Sequence, residues 1–123
     1  MVEQTIKGGI IMAKYERYLT GNIDDFASYI EKVILDGSVS ATLEDSSYYS
    51  SGDTTCIVKV YERYSMLGKN RVSLSVTLVG DANDEIFISA ITSGGSQAVL
   101  FKINTFGEET FLDKLIEAVD SYR

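Results

Sequence analysis

The chain has 123 residues, with 18 Asp and Glu against 11 Lys and Arg for a formal net charge of −7, one Cys, and no His, Pro or Trp. This length fits a single domain around one core. Without His there is no Ser-His-Asp or Cys-His nucleophile pair and no His-ligated metal, and one Cys excludes an internal disulfide. The acidic balance argues against nucleic-acid binding, which needs a basic surface. We expect no cofactor and no bound metal.

Residues 1–12 are predicted to be an N-terminal tail, followed by a single α+β domain over residues 13–123. The tail does not read as a signal peptide, and no run approaches the roughly 18–20 apolar residues of a membrane span. We therefore expect a cytoplasmic protein with no membrane contact. Lys7-Gly8-Gly9 can be encoded by a bacterial ribosome-binding sequence shortly before Met12. Either Met12 is the natural start or the segment is an ordinary tail, and the intact mass of the native protein distinguishes the two.

The first predicted elements of the domain are a strand and a helix. Residues 13–19 read as a strand, in which Tyr15 and Tyr18 supply β-propensity. Asn22 is a suitable N-cap, and Asp25 in the first turn complements the helix dipole. A single apolar stripe follows, and Gly37 ends the helix. The stripe consists of Ile23, Phe26, Ala27, Ile30, Val33 and Ile34.

The hydrophobic pattern then changes to the two-residue repeat of strands and predicts four of them, each turning one apolar side to the core. Turn residues separate these strands at positions 50–53, 67–70 and 80–84, so they form an antiparallel meander. The predicted core-facing residues are Val39, Ala41 and Leu43; Cys56, Val58 and Val60; Val72, Leu74, Val76 and Leu78; and Ile86, Ile88 and Ala90.

The end of the chain predicts a second helix. Residues 98–103 read either as a sixth edge strand or as a buried lead-in, and Thr105 and Glu108 have the spacing of a capping box. An apolar stripe from Phe111 to Val119 follows. The predicted fold is α+β with two layers in the order β-α-β-β-β-β-α, a curved antiparallel sheet of about five strands with two helices packed on one face. This order is similar to the TATA-binding-protein-like and helix-grip arrangements, an analogy that carries no function.

Three local patterns offer chemistry, and each has a plainer interpretation. Cys56 shares one side of its predicted strand with Val58 and Val60, so burial is favoured over catalysis in a chain without a His base. Asp81, Asn83 and Glu85 begin with the spacing of a calcium loop but lack its Gly and closing Glu, so a hairpin turn is favoured. The turn at residues 93–96 could form an anion-binding nest of backbone N–H groups, but a strand exit is favoured.

The outward side of the sheet is the predicted binding surface. Its hydroxyl residues need only solubility to explain them, but Ile57, Val79, Phe87 and Ile91 share their parity. Such a mixture of apolar, aromatic and Arg side chains is typical of a self-association or ligand-docking surface. We expect a homodimer through this face or a small-molecule ligand held between the helices and the sheet. The candidate ligand-binding residues are Ser93, Gly94, Gly95, Ser96, Gln97, Tyr61, Arg63 and Arg71.

The acidic segment at residues 44–53 is predicted to be a long loop. Tyr48 and Tyr49 stand there among serines, a mixture of rigid aromatic rings and adaptable hydrogen-bonding groups that is typical of a recognition surface. The alternative is a solvated loop whose tyrosines fold back on the sheet.

Four segments of the chain resemble a bacterial family of unknown function, the domain-of-unknown-function family numbered 6054. They are Val60-Tyr61-Glu62-Arg63-Tyr64-Ser65-Met66, Arg71-Val72-Ser73-Leu74, Ser89-Ala90-Ile91-Thr92-Ser93-Gly94-Gly95-Ser96-Gln97 and Ile103-Asn104-Thr105-Phe106-Gly107-Glu108. The resemblance covers about residues 13–122 and is consistent with a start near Met12. It implies no activity.

These patterns favour a small binding or interaction module over an enzyme. The alternative is a His-free enzyme that would use carboxylates, Tyr61 or Tyr64 near Arg63, with the turn at residues 93–97 as a cradle for an oxyanion or a phosphate. No residue spacing supports this alternative specifically.

Overall fold

The computed structural model describes residues 2–7, 10–38, 40–65, 70–94 and 111–122, with side chains from residue 12 onward. It contains six strands and two helices within these residues. In chain order they are β1 (Val2–Lys7), β2 (Ile10–Thr20), α1 (Ile23–Asp36), β3 (Thr42–Ser51), β4 (Thr54–Ser65), β5 (Asn70–Gly80), β6 (Glu85–Gly94) and α2 (Phe111–Ser121).

The strands form one antiparallel sheet in the order β1-β2-β6-β5-β4-β3. Strands β3 to β6 form the predicted meander, but β3 begins later than predicted, since Ala41 precedes it and Leu43 is exposed rather than in the core. The strand before α1, β2, pairs with β6, the last strand of the meander. Helices α1 and α2 contact each other and the same face of the sheet. The predicted α+β fold with two helices on one face is therefore confirmed.

Helix α1 follows its sequence signals closely. The side chain of Asn22 accepts a hydrogen bond from the backbone N–H of Asp25 at 3.0 Å, as expected of an N-cap. At the other end the Gly37 N–H donates to the Val33 carbonyl at 2.9 Å, and a Cβ on Gly37 would lie only 2.8 Å from that oxygen. Glycine is thus required there by space. The apolar stripe is buried against the sheet at Phe26, Ala27, Ile30 and Ile34.

The core lies between the two helices and the inner face of β5 and β6. The alternation predicted for these two strands is confirmed, and α2 contributes the stripe expected from its sequence. The buried residues from these three elements are Val72, Leu74, Val76 and Leu78; Ile86, Ile88, Ala90 and Thr92; and Phe111, Leu112, Leu115, Ala118 and Val119.

Strand β4 turns its other side to the core, so the prediction that Cys56, Val58 and Val60 face inward is wrong. Ile57 and Tyr61 are 5% and 0% exposed, and they lie opposite Leu78 and Leu74 of β5. Both sides of β4 carry apolar residues, and the inner side also carries Lys59 and Arg63, so alternation alone favours the wrong side. The larger side chains take the inner side, where the helices can cover them.

Strand β3 replaces the predicted loop at residues 44–53. It runs from Thr42 to Ser51, pairs with β4 and ends in a two-residue turn at Gly52 and Asp53. Gly52 has a φ of +57°, a conformation that glycine adopts without strain. A two-residue turn of this kind is a hairpin signal that the richness of the segment in Ser and Asp obscured.

The N-terminal segment also differs from the expected tail. Val2–Lys7 pairs with β2 in a continuous antiparallel register, from Val2 opposite Tyr15 to Lys7 opposite Ile10. The sequence signal is the Gly8-Gly9 pair between two runs that contain β-branched residues. The start at Met12 stays a prediction. Val39, residues 98–103 and the capping box at residues 105–108 lie outside the described residues.

Candidate binding surface on the open face of the sheet

The predicted ligand-binding residues occupy different faces of the sheet. Tyr61 and Arg63 lie on the side covered by the helices, whereas Arg71 lies on the opposite, open side. Ser93 and Gly94 stand at the end of β6, and residues 95–97 are outside the described part of the chain. The described members of the set therefore do not converge on one site.

Tyr61 belongs to a polar cluster that joins β4 to α1. Its hydroxyl donates to Glu31 Oε1 at 3.1 Å, and Lys59 Nζ donates to the same oxygen at 2.9 Å. Burial, and then the negative charge of Glu31, raise the pKa of Tyr61 far above its ordinary value of 10.0. The hydroxyl therefore stays protonated at neutral pH and acts as a hydrogen-bond donor that holds the helix to the sheet.

The two arginines of the predicted set each have a structural partner. The guanidinium carbon of Arg63 lies 5.3 Å from the centre of the Phe111 ring, a cation–π contact between β4 and the first turn of α2. Arg71 Nε donates to Glu62 Oε1 at 2.7 Å across the β4–β5 pair. Both arginines thus tie neighbouring elements together.

The end of β6 is shaped by its backbone. Gly94 has a φ of +99°, and a Cβ there would lie 3.0 Å from the Arg71 carbonyl oxygen. The Ser73 hydroxyl donates to the Ser93 carbonyl at 3.3 Å. The backbone conformation thus favours glycine at Gly94, the last residue of β6.

Cross-strand pairing places an apolar row on the open face, which we call the aromatic row. Each member lies directly opposite the next on the neighbouring strand, and the row crosses β2, β6, β5, β4 and β3 in turn. Its two ends are the exposed rings of Tyr18 and Tyr49, at 77% and 66% exposure. The row consists of Tyr18, Phe87, Val79, Cys56 and Tyr49.

Only part of the aromatic row could be predicted from the sequence. The outward direction of Val79 and Phe87 is confirmed, and the prediction that Cys56 points into the core is wrong. The sequence predicts a loop at Tyr49 and, at Tyr18, a strand whose alternation is too imperfect to show which side faces outward. The missing information is the register, because pairing with β5 decides which side of β4 faces outward.

The centre of the open face is uncharged and rich in hydroxyl groups. Ser73, Ser75 and Thr77 of β5 alternate with the buried core residues, and Ser89 of β6 lies opposite Thr77. The Ser89 hydroxyl donates to the Glu16 carboxylate on the neighbouring strand β2 at 3.2 Å. Charge-poor centres with aromatic side chains nearby are typical of protein interfaces.

Among the described residues, two shallow cavities open on this face. One, of about 470 Å³, lies at the end where β5 turns into β6, and the other, of about 140 Å³, lies over β3 and β4. By contrast, the side chains between the helices and the sheet are closely packed, with Phe26, Leu74 and Leu115 at 0% exposure. The described residues therefore offer more room for a partner on the open face than between the layers.

Neither metal nor membrane chemistry is evident in the part of the chain that the structure describes. No three of its Cys, Asp and Glu side chains are grouped so that they could hold a metal ion. Within the same residues, no helix combines the length and the apolar character needed to cross a membrane.

The fold and the surface define a class, a two-layer α+β domain in which both described helices cover the same face of an antiparallel sheet. Within that class, the family model for the family of unknown function DUF6054 matches residues 12–123. The chain therefore belongs to this family. The match begins at Met12, so strand β1 lies outside it. No curated protein matches the chain.

Proposed function

We propose that this protein is a small binding module that self-associates through the open face of its sheet. The observation that carries the proposal is the aromatic row, which places five apolar or aromatic side chains in one line across five strands. The rings of Tyr18 and Tyr49 are exposed, and covering them with a second copy would remove apolar surface from water, which is favourable.

The size of the open face supports a second copy as the occupant. Five strands spaced about 4.8 Å apart, each about ten residues long, form a surface of about 800 Å². A standard protein interface buries about 800 Å² on each partner. Two such faces can pack about 10 Å apart as a sheet-on-sheet sandwich.

The charge of the protein also bears on how two copies can meet. Each copy carries a net charge of −7, which opposes association unless the acidic groups stay outside the interface. On the open face, Lys14 and Arg71 face outward together with Glu16, Glu62, Asp45 and Glu85, so the face carries both signs with carboxylates in excess. Many of the remaining carboxylates lie on the helices, away from a second copy.

The other predicted functions have less support. A ligand between the helices and the sheet would have to displace packed side chains such as Ile30 and Leu115. For the His-free enzyme, one of the predicted acid or base groups, Tyr61, has a buried hydroxyl that is held by Glu31. The cytoplasmic location also stays a proposal.

Sedimentation velocity from about 1 μM to about 1 mM tests the dimer. We expect the wild type to pass from monomer to dimer in this range. Tyr49→Glu places a charge in the aromatic row and is expected to weaken the dimer at least about tenfold. Tyr48→Glu is the matched control, because Tyr48 is the neighbouring residue on β3, 59% exposed, and points to the other side of the sheet.

The outcomes separate the proposal from its competitors. A wild type that stays monomeric throughout the range overturns it. If both tyrosine variants weaken the dimer equally, the copies associate through the β3 edge and the open face is not the interface.

A further inference from the structure

The larger cavity on the open face is lined by a distinctive set of groups. It is a groove at the end of the sheet where the β5–β6 hairpin turns, with a volume of about 470 Å³. Its volume falls in the range of small-molecule sites, about 300–1,000 Å³. The lining residues are Tyr18, Thr54, Val79, Gly80, Asp81, Glu85, Ile86 and Phe87.

Two aromatic rings line the groove. The ring centres of Tyr18 and Phe87 are 5.0 Å apart, and the rings are tilted by 49° to each other. Tyr18 is 77% exposed, so its ring is open to a ligand. The faces of aromatic rings carry negative potential and attract cations, most of all alkylated ammonium groups.

Two carboxylates lie in the same groove. Asp81 is oriented by its turn, because its Oδ1 accepts the backbone N–H groups of Asn83 at 2.9 Å and Glu85 at 3.2 Å. Within the described residues neither Asp81 nor Glu85 forms an ion pair, and no Lys or Arg lines the groove. The groove therefore combines negative charge with two aromatic rings and has no described counter-charge of its own.

We infer that this groove binds a small organic cation of the alkylammonium class. The ring faces of Tyr18 and Phe87 contact the alkyl groups around the nitrogen, and Asp81 and Glu85 supply the opposite charge. An anion would meet two carboxylates without a compensating cation, and a neutral ligand would gain nothing from their charge.

The inference goes beyond the proposed dimer and can be tested apart from it. The groove is formed within one chain, so binding does not require a second copy. Because Tyr18 and Phe87 also belong to the aromatic row, the ligand is titrated at protein concentrations where sedimentation shows monomer. A failed dimer then leaves this test intact.

The probe is choline, and its neutral carbon analogue, 3,3-dimethyl-1-butanol, is the matched control of the same shape. Both are titrated into the labelled protein and followed by two-dimensional NMR. We expect saturable shifts around Phe87 and Glu85, with choline bound about tenfold more tightly than the neutral analogue. Equal binding of the two compounds, or no saturable choline binding, overturns the inference.

Variants separate the two contributions. Glu85→Gln removes one charge and is expected to weaken choline binding about threefold to tenfold, whereas Asp45→Asn removes a charge from the same face outside the groove and should change nothing. Phe87→Leu keeps an apolar side chain but removes the ring. It should weaken choline and leave the neutral analogue unaffected. Binding that Glu85→Gln and Asp45→Asn reduce equally, or binding of a Lys-rich peptide without binding of choline, contradicts a small-cation site.

Discussion

Replacing Tyr61 with Phe removes one hydroxyl from the cluster that joins β4 to α1. That hydroxyl donates to Glu31 at 3.1 Å, and a hydrogen bond to a charged partner contributes about 1.5–3 kcal/mol. Glu31 is 30% exposed and keeps its contact with Lys59 at 2.9 Å, so the loss falls at the lower end. We expect Tyr61→Phe to lower the free energy of unfolding at pH 7 by about 1–1.5 kcal/mol.

The dependence on pH makes this prediction specific to the cluster. In the unfolded chain Tyr61 ionises with its ordinary pKa of 10.0, whereas in the folded protein burial and Glu31 raise that pKa. A folded-state pKa above the unfolded value contributes stability that is present below pH 10 and is lost as the pH rises further. One unit above pH 10 the wild type loses about 1.4 kcal/mol from this residue, and Phe at the same position loses none.

Urea denaturation at pH 7 and pH 11 measures both effects. The difference between wild type and Tyr61→Phe should be about 1–1.5 kcal/mol at pH 7 and close to zero at pH 11. Tyr48→Phe is the control, because Tyr48 is 59% exposed, and it should match the wild type at both values. A difference between wild type and Tyr61→Phe that is the same at pH 7 and pH 11 would refute the reasoning.

Two further substitutions test the core and the backbone of the fold. Leu115→Ala leaves a cavity between α2 and the sheet at a residue with 0% exposure, and we expect a loss of about 2–5 kcal/mol in urea denaturation. Gly94→Ala forces a φ of +99° on a residue with a Cβ that would lie 3.0 Å from the Arg71 carbonyl. We expect a loss of about 1–3 kcal/mol by the same measurement, and an unchanged midpoint would contradict the assigned backbone conformation.

The elements with a strong period and clear caps could be predicted from the sequence. Helix α1 is the best example, since Asn22, the apolar stripe and Gly37 all indicated the same boundaries. Strands β5 and β6 alternate between apolar and hydroxyl residues, so only one side can face the core. In these elements the local sequence signals and the burial of side chains in the fold indicate the same structure.

The elements that escaped prediction are those in which local pattern leaves the structure open. Strand β4 has apolar residues on both sides, and only its pairing with β5 turns Tyr61 inward and Cys56 outward. Strand β3 is exposed along its whole length, so it has no hydrophobic pattern to read. The candidate surface could be predicted only in part for the same reasons, because three of the five members of the aromatic row come from β2, β3 and β4.

The identity of the residues that touch a second copy is the most direct test of the proposed function. Isotope-filtered NMR on a mixture of labelled and unlabelled protein records only contacts between copies. The open-face dimer predicts intermolecular contacts to the rings of Tyr18, Phe87 and Tyr49 and to the methyl groups of Val79. Intermolecular contacts at Tyr48 and Leu43 on the other side of β3, or none at a concentration of about 1 mM, would contradict it.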